Sequence, residues 1–372
     1  MKKISIFGST GTIGRKALEL ASINNFEIVA ISGNKNHDLL IEQARLFNPK
    51  YVCVSDKNSF EIVKNSLPNN IEVVPESEIQ NIAQIDVDCC VMAISGNSGL
   101  IPTFQCLGHA KRLAIATKEV IISGGILLKN KASQLGTEII PIDSEHNAIF
   151  QSIANENKDE VNKLILTASG GAFLDYEEKN LEDVTLEDAL HHPNWNMGKK
   201  ITIDSATMIN KALEIIEAAY LFDIPISKIK ALIHPNSIIH GMALFNDGTF
   251  KSIMSYPDMM LPISFAINYP VRKPCFMKGI DFTEIENLNF RKPKDWQKKN
   301  INLAYQAFHE KKSITFNAAN ELAVQKFMDG SIKFLDIHKL IVKILEKSES
   351  ENIDSIDDIL DIISQTKHLS DF

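Results

Sequence analysis

Cysteine is scarce in this chain: 372 residues carry five, an odd number, and no two stand in a C-x-x-C spacing. Cys53, Cys89, Cys90, Cys106 and Cys275 therefore read as reduced thiols in core packing, not as a disulfide framework. Nowhere does the sequence reach the roughly 18 uninterrupted apolar residues that a membrane helix needs. Basic charge is in deficit, 39 Lys and Arg against 47 Asp and Glu for a net charge of -8, and no local basic patch offsets it. That excludes a generic nucleic-acid binder. Internal repeats and low-complexity segments are absent. The opening Met-Lys-Lys-Ile-Ser-Ile-Phe-Gly runs straight into an apolar strand pattern and leaves no room for a signal h-region. The expected location is the cytoplasm.

What the chain does contain is ordinary globular material, 44% apolar and 23% charged. At roughly 150 residues per domain its length predicts two or three domains. Residues 3–7, 27–32, 51–54, 87–94, 112–116 and 138–142 are short β-branched runs separated by amphipathic stretches, the pattern of an α/β, Rossmann-like doubly wound parallel sheet. Residues 143–271 read as a mixed α and β domain, with strands expected at 164–168, 200–204, 230–233 and 249–255. A polar loop punctuated by Gly and Pro interrupts it at 170–199, and loops of that length in compact domains are functional or locally disordered. Residues 272–298 carry the prolines and charges of a linker, and 299–372 are helical in pattern.

The first strand is followed by Gly8-Ser9-Thr10-Gly11-Thr12-Ile13-Gly14, which opens a helix. Glycines allow close backbone approach, and a helix N-terminus offers unpaired N–H groups to a pyrophosphate, so this turn is a candidate dinucleotide cradle. Its spacing is G-x-x-G-x-x-G, not the commoner G-x-G-x-x-G. The second strand ends in Gly33-Asn34-Lys35-Asn36. Without a carboxylate to hold a ribose 2′-hydroxyl, and with a lysine present, it favours a 2′-phosphate and therefore NADPH.

Three acidic residues define a candidate metal site. Asp143 and Glu145 follow a buried run, Ile139 to Ile142, and in an extended strand i and i+2 share a side. On that reading Ser144 and His146 point the other way. Glu214 closes Asp-Ser-Ala-Thr-Met-Ile-Asn-Lys-Ala-Leu-Glu, where i, i+4 spacing on a helix places Asn210 beside it. An all-oxygen carboxylate set suits Mg²⁺ or Mn²⁺ better than Zn²⁺. Ser169, at the end of Leu-Ile-Leu-Thr-Ala-Ser-Gly-Gly, is expected to expose a hydroxyl beside backbone donors. Asp204-Ser205-Ala-Thr207 reads as a helix N-cap cluster. Each alone is only a cap; with Asn210, Lys211 and His192 they supply the donors a substrate phosphate needs. Trp195, in His-His-Pro-Asn-Trp-Asn-Met-Gly, has an indole suited either to a lid over substrate or to a docked structural loop.

Taken in order, G-S-T-G-x-I-G, D-S-E-H, A-S-G-G, H-P-x-W-x-M-G and D-S-A-T-M-x-N-K-x-x-E resemble the 1-deoxy-D-xylulose 5-phosphate reductoisomerase family over nearly the whole chain. The resemblance implies metal-dependent rearrangement and NADPH-dependent reduction of 1-deoxy-D-xylulose 5-phosphate to 2-C-methyl-D-erythritol 4-phosphate, an isoprenoid precursor, by a homodimer. It implies Asp143, Glu145 and Glu214 as metal ligands, with Lys118, Ser144 and Asn210 at the reacting oxygens. Ser169, His192, Ser205, Asn210 and Lys211 would surround the phosphate, and Trp195 would ride on the lid. Cofactor contacts would fall on Thr10, Gly11, Thr12, Ile13, Gly33 and Asn36, with Gly198 near the nicotinamide. Two positions depart from the family pattern: Thr117-Lys118-Glu119 stands where Asn-Lys-Glu is common, near the cofactor, and Met260 ends a Pro-Asp-Met motif where Arg is usual. Rival readings are another NADP-dependent dehydrogenase of the semialdehyde or homoserine type, which has no need of the carboxylates, and a non-catalytic NADP sensor, which should have lost them.

Overall fold

The structure is a computed structural model and describes residues 1–195 and 197–369. Two compact units share the chain. One gathers Met1–Val120, Leu128–Asn147 and Asp258–Lys278; the other gathers Ile121–Leu127, Ala148–Pro257 and Gly279–Phe372.

Seven strands build the first unit: β1 (Lys3–Phe7), β2 (Glu27–Gly33), β3 (Tyr51–Val54), β4 (Glu72–Pro75), β5 (Cys89–Met92), β6 (Arg112–Ile115) and β7 (Glu138–Pro141). All pairings are parallel, in the order β4-β3-β2-β1-β5-β6-β7. Strand order reverses at β1, and the crevice at the carboxyl end of such a switch point is where doubly wound sheets bind ligands. Strands buried on both faces need continuous apolar runs; Ile4, Ile6, Phe7, Ala30, Ile31, Val52, Val91, Leu113 and Ala114 are all fully buried. Helices α1 (Thr12–Ile23), α2 (His37–Phe47), α3 (Lys57–Ser66), α4 (Ile79–Ala83) and α5 (Leu100–Cys106) connect the strands, and α6 (Lys118–Leu135) and α7 (Ser144–Ile153) follow β6 and β7. The expected strands stand where the β-branched runs lie; β4 was missed, and the 87–94 strand is confined to Cys89–Met92.

The second unit contains a four-stranded mixed sheet made of β8 (Val161–Ala168), β9 (Ile229–Ile233), β10 (Ile239–Phe245) and β11 (Phe250–Met254), ordered β11-β10-β8-β9. Only β8 and β9 pair in parallel. Between β8 and β9 come α8 (Leu186–Leu190), α9 (Lys199–Thr207) and α10 (Ile209–Phe222), while α11 (Met260–Asn268) belongs to the first unit. Then follow α12 (Asp295–His309), α13 (Ser313–Met328), α14 (Phe334–Lys347) and α15 (Ile356–His368). α10 contributes Leu213, Ile215, Ile216 and Ala218 to this unit's buried core, which also takes in Ala304, Phe316 and Ile341. Among the described residues no helix is long and apolar enough to cross a membrane.

One of this unit's expected strands is a helix. Residues 200–204 are helical, inside α9, not a strand. Their Ile-Thr-Ile-Asp alternation has strand period, but the Thr202 hydroxyl donates 2.8 Å to the Gly198 carbonyl and Ile203 and Ala206 bury on the core, so packing overrides β-propensity. Strand β10, in Ile-His-Gly-Met-Ala-Leu-Phe, was not anticipated.

Candidate functional site

In the first unit the glycine turn has the geometry of a cradle. Gly8 has φ +86°, and a Cβ there would lie 2.4 Å from the Ala93 carbonyl oxygen; one on Gly14 would lie 2.3 Å from the Gly8 oxygen. The turn is pinned to β2, since the Gly8 N–H donates 2.8 Å to the Ser32 hydroxyl and the Ser9 N–H 2.8 Å to the Ser32 carbonyl. Ser9 is fully buried and its hydroxyl donates 2.7 Å to Gln43, so Ser9 offers backbone only. Thr10 and Ile13 are half-buried, and Gly11 and Thr12 are exposed at the start of α1. At the end of β2, Gly33 is buried under Thr10 and Leu40, while Asn34, Lys35 and Asn36 are exposed. Asn36 also caps α2 by accepting from the Leu39 N–H at 3.3 Å.

Asp143 and Glu145 do not sit on an extended strand. β7 ends at Pro141 and α7 begins at Ser144, with the Asn147 N–H donating 2.8 Å to the Asp143 carbonyl. The pair spans a strand-to-helix junction, where the first turn favours carboxylates. Their carboxylate oxygens lie within 4.8 Å of each other. His146 does not point away: in helical register its buried Nδ1 stands 3.6 Å from Asp143 Oδ2. The Lys118 ammonium, at the start of α6 and almost fully buried, is 2.6 Å from the same oxygen. Burial opposes ionisation of Asp143, but Lys118 and His146 outweigh it and hold the carboxyl well below the usual carboxylate range. Ser144 donates 2.5 Å to Glu145. The Thr117 hydroxyl, standing where the family pattern has an amide, is buried and donates 2.7 Å to the Ile94 carbonyl; Glu119 lies in the first turn of α6. Met260 is buried in α11, and Asp258 before it pairs with Lys16 at 2.9 Å.

In the second unit Ser169 follows β8 directly. Gly170 and Gly171 have φ +95° and +68°, and a Cβ on Gly171 would stand 2.5 Å from the Ser205 carbonyl oxygen, so only glycine lets this turn close on α9. Ser169 Oγ accepts from the Gly171 N–H at 3.2 Å and is 2.9 Å from His192 Nε2. His192 Nδ1 accepts from the N–H groups of Asn194 (3.2 Å) and Trp195 (3.0 Å). Its proton must therefore reside on Nε2, which donates to Ser169. With both acceptor positions used, the Ser169 hydroxyl proton is left to donate outward. Trp195 is half-buried, edge-on to His240 at 6.2 Å between ring centroids. Asn196, within the same loop, lies outside the described residues.

Burial pushes the His192 imidazole down to about 4. Its folded value is thus below the ordinary 6.5, and the neutral ring's contribution to stability is present above about pH 6.5 and lost as pH falls towards 4. Titration of the ring ¹⁵N shifts should show His192 neutral down to about pH 4; a midpoint near 6.5 would contradict this hydrogen-bond pattern.

Asp204, Ser205 and Thr207 are not an N-cap cluster; they form the C-terminal end of α9. Asp204 is buried against Lys200 (2.9 Å) and Asn320 (2.8 Å), and Ser205 stays half-buried beside the Gly171 turn. Met208, at φ +64°, breaks the chain between α9 and α10. Thereafter the expected helical spacing holds: Asn210 Nδ2 donates 2.5 Å to Glu214 Oε1. The fully buried Glu214 also pairs with Lys211, whose ammonium donates 2.5 Å to the Thr167 carbonyl. Gly198 is the N-cap of α9. The sequence turns His146 away because it reads the junction as a strand, where i, i+3 helical spacing brings it to Asp143; Asn194 and His240 carry no role in the sequence and depend on tertiary contact.

A glycine turn at the switch point of a doubly wound parallel sheet defines a dinucleotide-binding α/β protein, to which the chain adds a second α/β unit with a hydroxyl–imidazole–glycine turn. Family models described as 1-deoxy-D-xylulose 5-phosphate reductoisomerase match residues 4–125, its C-terminal domain residues 139–222, and the DXP reductoisomerase C-terminal domain residues 254–369. The 1-deoxy-D-xylulose 5-phosphate reductoisomerase of Caldanaerobacter subterraneus is 42% identical over 99% of this chain and 98% of its own. That of Sulfurihydrogenibium is 43% identical over 100% and 97%. The solved Zymomonas mobilis reductoisomerase in complex with NADPH superposes with a TM-score of 0.93 at 33% identity, over 99% of this chain and 98% of that one. A solved DOX-P reductoisomerase in complex with NADPH, fosmidomycin and magnesium gives 0.92 at 32% identity, over 100% and 98%. The chain belongs to the 1-deoxy-D-xylulose 5-phosphate reductoisomerase family.

Proposed function

We propose that this protein rearranges and reduces 1-deoxy-D-xylulose 5-phosphate to 2-C-methyl-D-erythritol 4-phosphate, using NADPH and a divalent cation, as a cytoplasmic homodimer. The full-length match to relatives of that name carries the reading. No observation favours the dehydrogenase or sensor alternatives. Functionally we divide the chain into a cofactor domain at 1–142, a catalytic domain at 143–271 with its lid at 170–199, a linker at 272–298 and a helical domain from 299.

Asp143, Glu145 and Glu214 would hold Mg²⁺ or Mn²⁺, which three hard carboxylates suit, and the turn from Gly8 to Ile13, with Gly33 to Asn36, Thr117 to Glu119 and Gly198, would hold NADPH. When bound, the cation supplies Lewis-acid polarisation of the substrate's adjacent oxygens and NADPH supplies hydride.

The rest is done by the chain. Ser169 turns its hydroxyl proton to a phosphate oxygen while neutral His192 keeps that hydroxyl oriented; Ser205 and the Gly171 turn complete the cradle, joined by Asn210 and Lys211. Lys118 holds a proton at the reacting oxygen and balances Asp143, and Ser144 and Asn210 fix the oxygens' orientation. Trp195 covers the substrate and excludes water. Exposed Lys35 sets the cofactor preference.

One assay tests the reading: NADPH absorbance should fall when the pentulose phosphate is added, and EDTA should stop it. Persistent turnover in EDTA would remove the metal from the proposal. NADH should serve at least about tenfold less well in kcat/KM, and Lys35→Ala should erase most of that preference, as expected for one exposed cation on a phosphate.

A further inference from the structure

Residues 289–296, which read in sequence as the end of a linker, are bonded along their length to the parts of the second unit that carry the loop 170–195. β9 is an edge of the four-stranded sheet, and the segment meets the last residue of that edge in an isolated antiparallel bridge. The Ile233 N–H donates 3.0 Å to the Arg291 carbonyl and the Arg291 N–H 2.8 Å back to Ile233. Next along the chain, His234 is fully buried, stacked on Phe290 at 4.7 Å and 23°. Its Nδ1 is 2.7 Å from the Asn289 carbonyl, which can only accept, so that nitrogen carries the proton. The His234 N–H donates 2.7 Å to the Ala168 carbonyl, one residue before Ser169.

Both ends of the loop are tied to this segment. At the beginning, Arg291 pairs with Asp175 at 2.8 Å. Lys294 spends its three donors on the Asp175 carbonyl (2.9 Å), the Tyr176 carbonyl (3.1 Å) and Glu177 (2.8 Å), and Trp296 Nε1 donates 3.1 Å to Tyr176. At the far end the tie runs through the turn after His234. Asn236 accepts from the Asn289 N–H at 3.1 Å, and Asn194 donates to the Pro235 carbonyl (2.6 Å) and the Ser237 hydroxyl (3.1 Å).

We propose that residues 289–296 form a strap that positions the phosphate-binding loop, with His234 as its positioning residue. By holding Asn289 to the end of β9, His234 places the 235–237 turn on which Asn194 rests, and with it His192 and Trp195. The functional part of this inference rests on the reading above, that the loop closes over a substrate phosphate; the strap itself does not.

Two variants separate the possibilities. His234→Leu keeps the apolar bulk and removes the donor; Arg291→Met acts at an exposed position and leaves the core untouched. Hydrogen exchange of the ligand-free full chain should speed up about tenfold across 170–195 in His234→Leu, the worth of one or two hydrogen bonds, less in Arg291→Met, and not at all across 8–14. With the pentulose phosphate, His234→Leu should raise the substrate KM about tenfold at unchanged KM for NADPH, and His234→Asn, whose amide can donate to Asn289, should restore it. Unchanged exchange across 170–195, or acceleration there and at 8–14 alike, overturns the strap. So does a rise in both KM values together. A wild-type protein that fails to oxidise NADPH with this substrate overturns the proposed function, while the exchange result still decides the strap.

Discussion

Glu214→Gln should lower turnover by about a thousand-fold or more, the loss expected when several kcal/mol of charge stabilisation leaves the transition state. The carboxylate is buried on α10, accepts from Asn210 and pairs with Lys211. Its neutral isostere keeps the shape and the Asn210 contact but removes the anionic oxygen proposed to hold the cation. Sequence spacing alone suggests a variant that folds normally. The buried ammonium of Lys211 argues otherwise, because the variant takes away the carboxylate with which it pairs. Breaking one side of a buried pair costs about 3–5 kcal/mol, so the variant should also melt earlier. Thermal unfolding and magnesium titration separate the two effects. Near wild-type rates with saturating Mg²⁺ would eliminate Glu214 as a ligand.

Gly8→Ala should weaken NADPH binding about a hundredfold, since displacing a positioning element by an ångström costs that much. Two causes act together. The residue has φ +86°, which alanine adopts only under strain, and its Cβ would press on the Ala93 oxygen at 2.4 Å, backbone that cannot swing aside. Relief must come from shifting the turn proposed to hold the cofactor. Gly248→Ala is the control: it shares the positive φ, +88°, but a Cβ there meets nothing within 4 Å and it lies in the turn between β10 and β11, not in the glycine turn after β1. It should share the backbone strain and leave NADPH binding with little change. Equal cofactor affinity in the two variants would show that close approach at Gly8 is not what the site needs.

Local pattern was strongest where a residue's partner is near in sequence or where one physical demand dominates. β1 and β3 lie at the residues their apolar runs predict, because a strand buried on both faces leaves no choice of composition. The glycine turn was legible because positive φ and close contact each demand glycine. Asn210 and Glu214 were legible because helical period sets their spacing.

Other features depended on how the folded chain turns and packs. Asp143 and Glu145 were read on a strand because the run before them is apolar, yet the chain turns into α7 once Pro141 ends the ladder; His146 then joins Asp143 instead of facing away. α9 has the alternation of a strand and is a helix because its Ile203 face packs in the core. The neutral state of His192 follows from the fold of its own loop, which aims the Asn194 and Trp195 N–H groups at its Nδ1, whereas the strap at 289–296 follows from bonds to residues more than fifty positions away. By itself the sequence determined which residue types are available: three carboxylates, a serine before a glycine pair, glycines at the turns and five scattered cysteines. Only the tertiary structure decided how each is oriented, charged and held, because hydrogen bonds and burial between distant segments set those properties and no local period encodes them.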